Sequence, residues 1–336
     1  MNHDKIILAH GSGGKLSNDL LKNIFLKDFT NPILEKLDDM AILNLNGVKV
    51  AFTTDSYVVN PIFFNGGDIG KLAICGTVND LSMSGAVPKY ISAAFVIEEG
   101  FPVDDLKKIT GSMRKAAEEA GVEIVTGDTK VVEKGSADKI FINTAGIGLI
   151  ESGIDISGSN AKVGDRVILS GTIGDHGIAI MSRREGLEFK TGLKSDCAPL
   201  NQLVQDMLQV SEKIRCLRDP TRGGLATILN EIAKQSGVSI CIKEEKIPVK
   251  EGVGGACEML GFDPLYVANE GKLIAVVDSI DAEKVLKAMK KNKYGKDSQI
   301  IGEIAESPKG KVLLKTFLGT RRIIDVLVGE QLPRIC

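Results

Sequence analysis

The chain has 336 residues, 43% hydrophobic and 26% charged, with a formal charge of −2. That length fits two domains, each able to bury its own core, and the balance describes a soluble globular protein. Near-neutral charge without Lys/Arg runs argues against nucleic acid or a membrane surface as the main partner, and no apolar run reaches the roughly 18 residues of a bilayer span. The opening Met1-Asn2-His3-Asp4-Lys5 lacks a signal-peptide layout. Six cysteines show no C-x-x-C pair and no framework spacing, so they read as reduced thiols of a cytoplasmic protein. Three scattered histidines disfavour a zinc or iron site.

In chain order, the first motif is Ala9-His10-Gly11-Ser12-Gly13-Gly14-Lys15. Gly11, Gly13 and Gly14 let backbone N–H groups close around an anion, with Ser12 among them. Ala9 and Leu16 stand where a Walker A loop needs Gly and Ser/Thr, so that motif fails. Helical spacing follows from Ser17 to Leu26. Asp38-Asp39 then enters an apolar strand, and a second strand-like run from Val48 ends near Asp55. Adjacent carboxylates in apolar surroundings need a cation or hydrogen-bond donors to compensate them, and hard oxygen ligands suit Mg²⁺ beside a phosphate. Gly66 to Lys71 opens a helix of small residues running to about Met83, whose far end carries Asn79-Asp80. Tyr90 to Ile97 reads as a strand and Asp104 to Gly121 as a helix with its stop. A short strand, Val122 to Val125, is expected to end at Thr126-Gly127-Asp128-Thr129-Lys130, a further acid at an element end. Ile140 to Ile150 is a strand whose Gly146 and Gly148 admit a close neighbour.

Residues 151–160 are rich in Gly and Ser and mark the boundary between domains. Beyond it, Val167 to Gly171 is a strand leading to the turn Gly174-Asp175-His176-Gly177. His176 reads first as a helix-start histidine satisfied by backbone, and second as a catalytic group. Ala198 to Ile214 has amphipathic helical spacing, and Arg218-Asp219-Pro220-Thr221-Arg222-Gly223-Gly224 introduces a helix to about Gln235. Asp219 and Thr221 are good capping chemistry there, and the same helix start with its arginines would bind phosphate. Asn269-Glu270-Gly271 precedes the strand Leu273 to Val277.

The chain ends Pro333-Arg334-Ile335-Cys336. A thiol on the last residue is an unusual place for a structural cysteine. With Gly329 as a hinge and Pro333 fixing one backbone angle, the tail could extend roughly 20 Å at about 3.3 Å per residue. This defines a tethered carrier thiol, weighed against a tail that merely ends in Cys.

Taken together, the motifs from His10-Gly11-Ser12-Gly13-Gly14 through Asp38-Asp39-Met40-Ala41, Thr53-Thr54-Asp55-Ser56, Gly67 to Lys71, Cys75 to Leu81, Gly127 to Lys130, Asp219 to Gly224 and Asn269-Glu270-Gly271 resemble the AIR-synthetase (PurM-like) superfamily. The terminal Pro-Arg-Ile-Cys selects within it the HypE family of [NiFe]-hydrogenase maturation proteins. The resemblance implies a two-domain α/β (α+β) PurM-like fold, with N-terminal domains pairing in a homodimer and a flexible C-terminal tail. The expected divisions are a glycine-rich segment and helix (1–36), an ATP-binding domain (37–150), a second PurM-like domain (161–328) and the tail (329–336).

The resemblance also implies a carbamoyl dehydratase. A partner carbamoyltransferase (HypF) loads a carbamoyl group on the terminal thiol, ATP-dependent dehydration makes a protein thiocyanate, and the cyano group passes to iron on a HypC–HypD scaffold. Asp38, Asp39, Asp55, Asp80 and Asp128, with Asp219, are the candidate Mg²⁺–ATP acids; which of them touch metal is left open. Gly11, Ser12, Gly13, Gly14, Lys71, Asn79, Thr129 and Arg222 are the candidate nucleotide contacts. Cys336 is the covalent handle, Glu270 the expected base and Lys130 the group polarising the substrate oxygen. Selenophosphate synthetase shares only the ATP machinery, and its reactive residue would lie in a glycine-rich segment that here holds no cysteine. A non-catalytic carrier would have no use for a buried anionic cluster.

Overall fold

The computed structural model describes residues 5–184, 192–327 and 334–336. The chain enters through α1 (Lys15–Leu20), a π-turn and α2 (Leu26–Phe29). It continues through β1 (Ala41–Leu45), β2 (Val48–Tyr57), the two-residue β3 (Phe63–Phe64) and β4 (Gly67–Asp68), α3 (Ile69–Ser82), β5 (Val87–Glu98), α4 (Val103–Ala120), β6 (Glu123–Val132) and β7 (Ile140–Ile150). Five of these strands form one sheet in the order β1-β2-β7-β5-β6, antiparallel except for β5 beside β6.

Local chemistry sets the helices on this sheet. The Asp68 carboxylate accepts from the Gly70 and Lys71 N–H groups at 2.8 and 3.0 Å and caps α3. Gly121, in the left-handed region at φ 70°, ends α4. The small residues of α3 let it lie tight on β7: a Cβ on Gly146 would sit 2.8 Å from the Thr77 methyl. Nearly all of α3 is buried between sheet, α4 and the second unit, so truncating Leu72 or Ile74 to Ala costs about 2–5 kcal/mol. The other sheet face is open. Phe52 and Ile147 pair across strands there, Tyr90 lies beside Ile147, and all three are exposed.

The second unit runs β8 (Arg166–Leu169), α5 (Asp175–Arg184), α6 (Asn201–Leu208), β9 (Ile214–Arg218), α7 (Gly224–Gln235), β10 (Ser239–Lys243), α8 (Glu251–Leu260), β11 (Ile274–Val277), α9 (Ala282–Lys291), β12 (Gln299–Ala305), β13 (Lys311–Lys315) and β14 (Arg321–Ile324). Its seven-stranded sheet has the order β14-β13-β10-β12-β8-β11-β9. The units share core: Ile180, Cys197, Ala268, Ile335 and Cys336 join the cluster under α3 and α4.

Two elements differ from expectation. The strand expected to stop at Val125 runs to Val132, because residues 124–132 pair in parallel with β5. Asp128 is therefore inside an edge strand and not at an element end. The helix expected from Ala198 to Ile214 covers only Asn201–Leu208, and Ile214 already belongs to β9. Its apolar spacing spans two elements that share one core.

Candidate active site

A cleft of about 230 Å³ opens where β2, α3 and the loop before α7 converge, and Cys336 lines it. Four aspartates border it: Asp39 before β1, Asp55 on β2, Asp80 on α3 and Asp219 after β9. Glu270, Arg222, Thr53 and Thr54 complete most of the wall. Thr53 ties β2 to α3 and to the segment before β1, its Oγ1 donating to Asp80 Oδ2 and lying equally close to the Asp39 carbonyl, both at 3.0 Å. Arg218 compensates one side by donating to Asp39 Oδ1 at 2.8 Å and to Glu231 at 3.0 Å.

The electrostatics are those of a cluster short of cations. Burial pushes the Asp39 carboxyl up despite Arg218, and burial does the same to Asp55 against the pull of Arg222. Asp80 is raised well above the carboxylate range by burial and then by Asp219, Asp55 and Asp39. Burial and Asp39 push Asp219 up to about 8. Glu270 is likewise raised well above its usual value, first by burial. Asp39 Oδ2 and Glu270 Oε1 are buried without a hydrogen-bond partner. Orphaned, mutually repelling oxygens of this kind fit a hard cation. Mg²⁺ would fit such a set, since it takes one or two carboxylates and completes its shell with phosphates and water.

Glu270 is set by backbone on both sides. Its N–H donates to Asp196 Oδ1 at 3.1 Å, and its carbonyl accepts from Asn79 Nδ2 at 3.3 Å. Asn79 also spans to the Ala198 carbonyl and the Leu200 N–H, so its amide ties α3 to the second unit. The glycine-rich loop packs behind Arg222: Gly13 has φ 78°, and a Cβ there would be 2.7 Å from Arg222 Cβ. Gly14 abuts the Leu327 carbonyl in the same way. Ser12 turns its hydroxyl to the Ala9 carbonyl at 2.8 Å, and Gly11 faces open space.

The tail is docked in this cleft. The Cys336 oxygen accepts from Val58 N–H at 3.0 Å and the Arg334 carbonyl from Asn60 N–H at 3.2 Å, extending the end of β2. Arg334 returns a bond to the Val58 carbonyl at 2.9 Å. Ile335 is buried in the core of the first unit, and burial pushes the Cys336 thiol up to about 12. The hinge at Gly329 and the stiffening Pro333 lie outside the described residues.

Other expected site residues fall elsewhere. Asp38 accepts from Ser157 Oγ and Gly158 N–H at 2.9 and 3.1 Å, holding the inter-unit linker. Lys71 donates to the Gly66 carbonyl and lines a separate lysine-rich cavity. Asp128, Thr129 and Lys130 stand exposed along β6, where Lys130 pairs with Asp128 at 2.8 Å and holds its carboxyl below the usual range. Arg218, expected with Arg222 to bind phosphate, is buried and pairs with Asp39 and Glu231 instead. Two contributors escaped sequence reasoning: Ser195 and Asp196 carry no local signal beyond a polar loop.

The two units match the AIR synthase related proteins, whose N-terminal domain matches residues 37–150 and whose C-terminal domain matches residues 162–315. Carbamoyl dehydratase HypE of Cupriavidus necator is 51% identical over 333 residues, covering 99% of this chain and 95% of that protein. The HypE chain of a HypE–HypF complex superposes with TM-score 0.88 at 56% identity over 92% of this chain and 99% of its own. HypE crystallised in complex with ATP gives TM-score 0.84 at 49% identity over 99% and 100%. The chain belongs to the HypE family.

Proposed function

We propose that this chain is an ATP-dependent carbamoyl dehydratase that turns the carbamoylated Cys336 into a thiocyanate, the source of the cyanide ligand on the iron of [NiFe]-hydrogenase. One observation carries the reading: the terminal thiol sits in the cleft that also holds Glu270, Arg222 and four aspartates. A cleft with no covalent task for that thiol would have no reason to hold it among groups that raise its pKa.

The chemistry assigned to the chain's own residues follows from where they stand. Removing water from an amide requires its oxygen to become a leaving group, and Mg²⁺–ATP supplies the phosphoryl group for that when bound. Asp39, Asp55, Asp80 and Asp219 would hold the metal. Arg222 brings positive charge against the phosphates, with the Gly11–Gly14 loop and Ser12 supporting it from behind. The amide gives up two N–H protons: the first to solvent when its oxygen is phosphorylated, leaving C=N–H, and the second to Glu270 as the C–O bond breaks, phosphate leaves and the C≡N bond forms. The orphaned Oε1 and raised pKa of Glu270 suit a group that collects a proton in a dry site.

The remaining assignments concern assembly. The open sheet face with Phe52, Tyr90 and Ile147 supports a homodimer. Thr54 shares that face and also lines the cleft, so pairing there would bring Asp128, Thr129 and Lys130 of one copy toward the cleft of the other. We assign HypF as the carbamoyl donor and the HypC–HypD scaffold as the cyanide acceptor. No helix among the described residues is long and apolar enough to cross a membrane, and the cysteines are unpaired, which supports a cytoplasmic location.

ADP release tests the reading. Protein carbamoylated at Cys336 should release about one ADP per tail, whereas Cys336→Ala should bind ATP and release none. ADP release by Cys336→Ala at the rate of the loaded protein would remove the thiol from the reaction.

A further inference from the structure

One buried histidine contacts the last peptide of the chain. His176 lies in the first turn of α5, fully buried, with the Phe64 ring edge-on at 5.5 Å. Its Nε2 is 2.8 Å from the Ile335 carbonyl oxygen and its Nδ1 2.8 Å from Ser195 Oγ. A carbonyl oxygen only accepts, so Nε2 carries the hydrogen, Nδ1 of the neutral ring accepts, and the Ser195 hydroxyl is the donor. Burial keeps the ring neutral by lowering its pKa, against the pull of Asp196.

The serine is itself fixed. Its N–H donates to the Asn65 carbonyl at 2.8 Å, and its Oγ accepts from the Cys197 N–H at 3.0 Å. The next residue holds the other reacting group: Asp196 Oδ1 accepts the Glu270 N–H at 3.1 Å, while Oδ2 pairs with Lys272 at 3.2 Å. Gly271 packs so tightly on the Asp196 carbonyl that no Cβ fits there. Adjacent residues of one loop thus grip the tail carbonyl, through His176, and the backbone of Glu270.

We propose that His176, seated on Ser195, is a positioning residue that fixes the Ile335–Cys336 peptide, and that the Ser195–Asp196 step keeps the tethered substrate in register with Glu270. The reaction named in this proposal rests on the dehydratase reading, whereas the positioning has a readout that needs no chemistry. A histidine that merely fills the core would be replaceable by Leu. A positioning donor would be replaceable by Gln, whose amide N–H reaches the place of Nε2.

The experiment uses the full chain in three forms: wild type, His176→Leu and His176→Gln. Tail docking is read by trypsin cleavage after Arg334, and chemistry by single-turnover water loss from carbamoylated Cys336, both by mass spectrometry. His176→Leu is expected to be cleaved roughly tenfold faster and to dehydrate roughly tenfold slower, with His176→Gln recovering most of both. Equal cleavage of wild type and His176→Leu, or equal losses in both variants, overturns the positioning role. Faster cleavage of His176→Leu beside a wild type that never loses water supports the positioning and overturns the dehydratase reading instead. Should His176→Leu fail to fold, Ser195→Ala removes the donor to Nδ1 and is read the same way: cleavage at the wild-type rate overturns the proposal.

Discussion

Asp80 and Asp128 look alike in sequence, each an acid among small residues and each expected beside a nucleotide, yet they sit in opposite physical situations. Asp80 lies at the end of α3, where loss of solvent first, and then three other acids, raise its pKa. Asp128 is largely exposed on an edge strand, and Lys130 lowers its pKa. Residue type sets what an acid can do; the low dielectric around the first, and its absence around the second, sets what each does in a single copy of the chain. The cleft is a stressed cluster that needs a cation. The β6 group is a relaxed surface pair, and a role for it needs a second copy.

The largest effect expected lies on the cleft side. Glu270→Gln removes the proposed base while keeping the shape of the side chain, so dehydration should fall roughly 10²- to 10⁴-fold while ATP binding and thiol loading persist. Full water loss by this variant would break the assignment. Next comes the surface pair. Lys130→Ala should leave thermal stability essentially unchanged, since an exposed ion pair contributes little. If pairing of copies completes the site, the same variant loses roughly tenfold in dehydration. Unchanged activity in a dimer whose state is verified by light scattering would leave the β6 group outside the chemistry.

Smaller effects sharpen the same contrast. Gly13→Ala puts a Cβ in the left-handed region and against Arg222, and should cost about 1–2 kcal/mol in chemical unfolding with weaker ATP binding. The pH dependence of stability should come from the cleft. Asp219 is raised from 3.8 to about 8, so the folded state keeps its proton where the unfolded chain has lost it. That contribution is full below about pH 4 and is lost as pH rises through about 8. Metal-free protein should therefore melt lower at about pH 8 than at about pH 6, and Mg²⁺ with ATP should raise the melting temperature more at the higher pH. Equal stabilisation at both would mean the acids are not in the nucleotide–metal site.

The sequence was most informative where one signal had one structural outcome. Ile140 to Ile150 reads as a strand and is one with those bounds, its burial alternating along it, and Gly121 ends α4 as a left-handed cap should. It misled where one pattern served two outcomes. The apolar spacing after Ala198 belongs to a helix and then a strand. The strand expected to stop at Val125 continues through Gly127, which lies in register beside Ala93, where its hydrogen leaves room for the Ala93 carbonyl. For the cleft, the acids and Arg222 were legible as motifs. The use of Asp38 as a linker clamp and of Asn79 as a bridge between units was not, because both depend on residues about 120 positions away. His176 was read first as satisfied by backbone, and so it is, but the backbone is that of the chain's own last peptide.

The central claim is that Cys336 is a covalent handle worked on in the acidic cleft. The most direct test follows the mass of the C-terminal peptide after carbamoyl loading by the transferase, with and without ATP and Mg²⁺. The account predicts a carbamoyl-bearing peptide without ATP and loss of one water with it. A carbamoyl mass that persists while ATP is bound would contradict it.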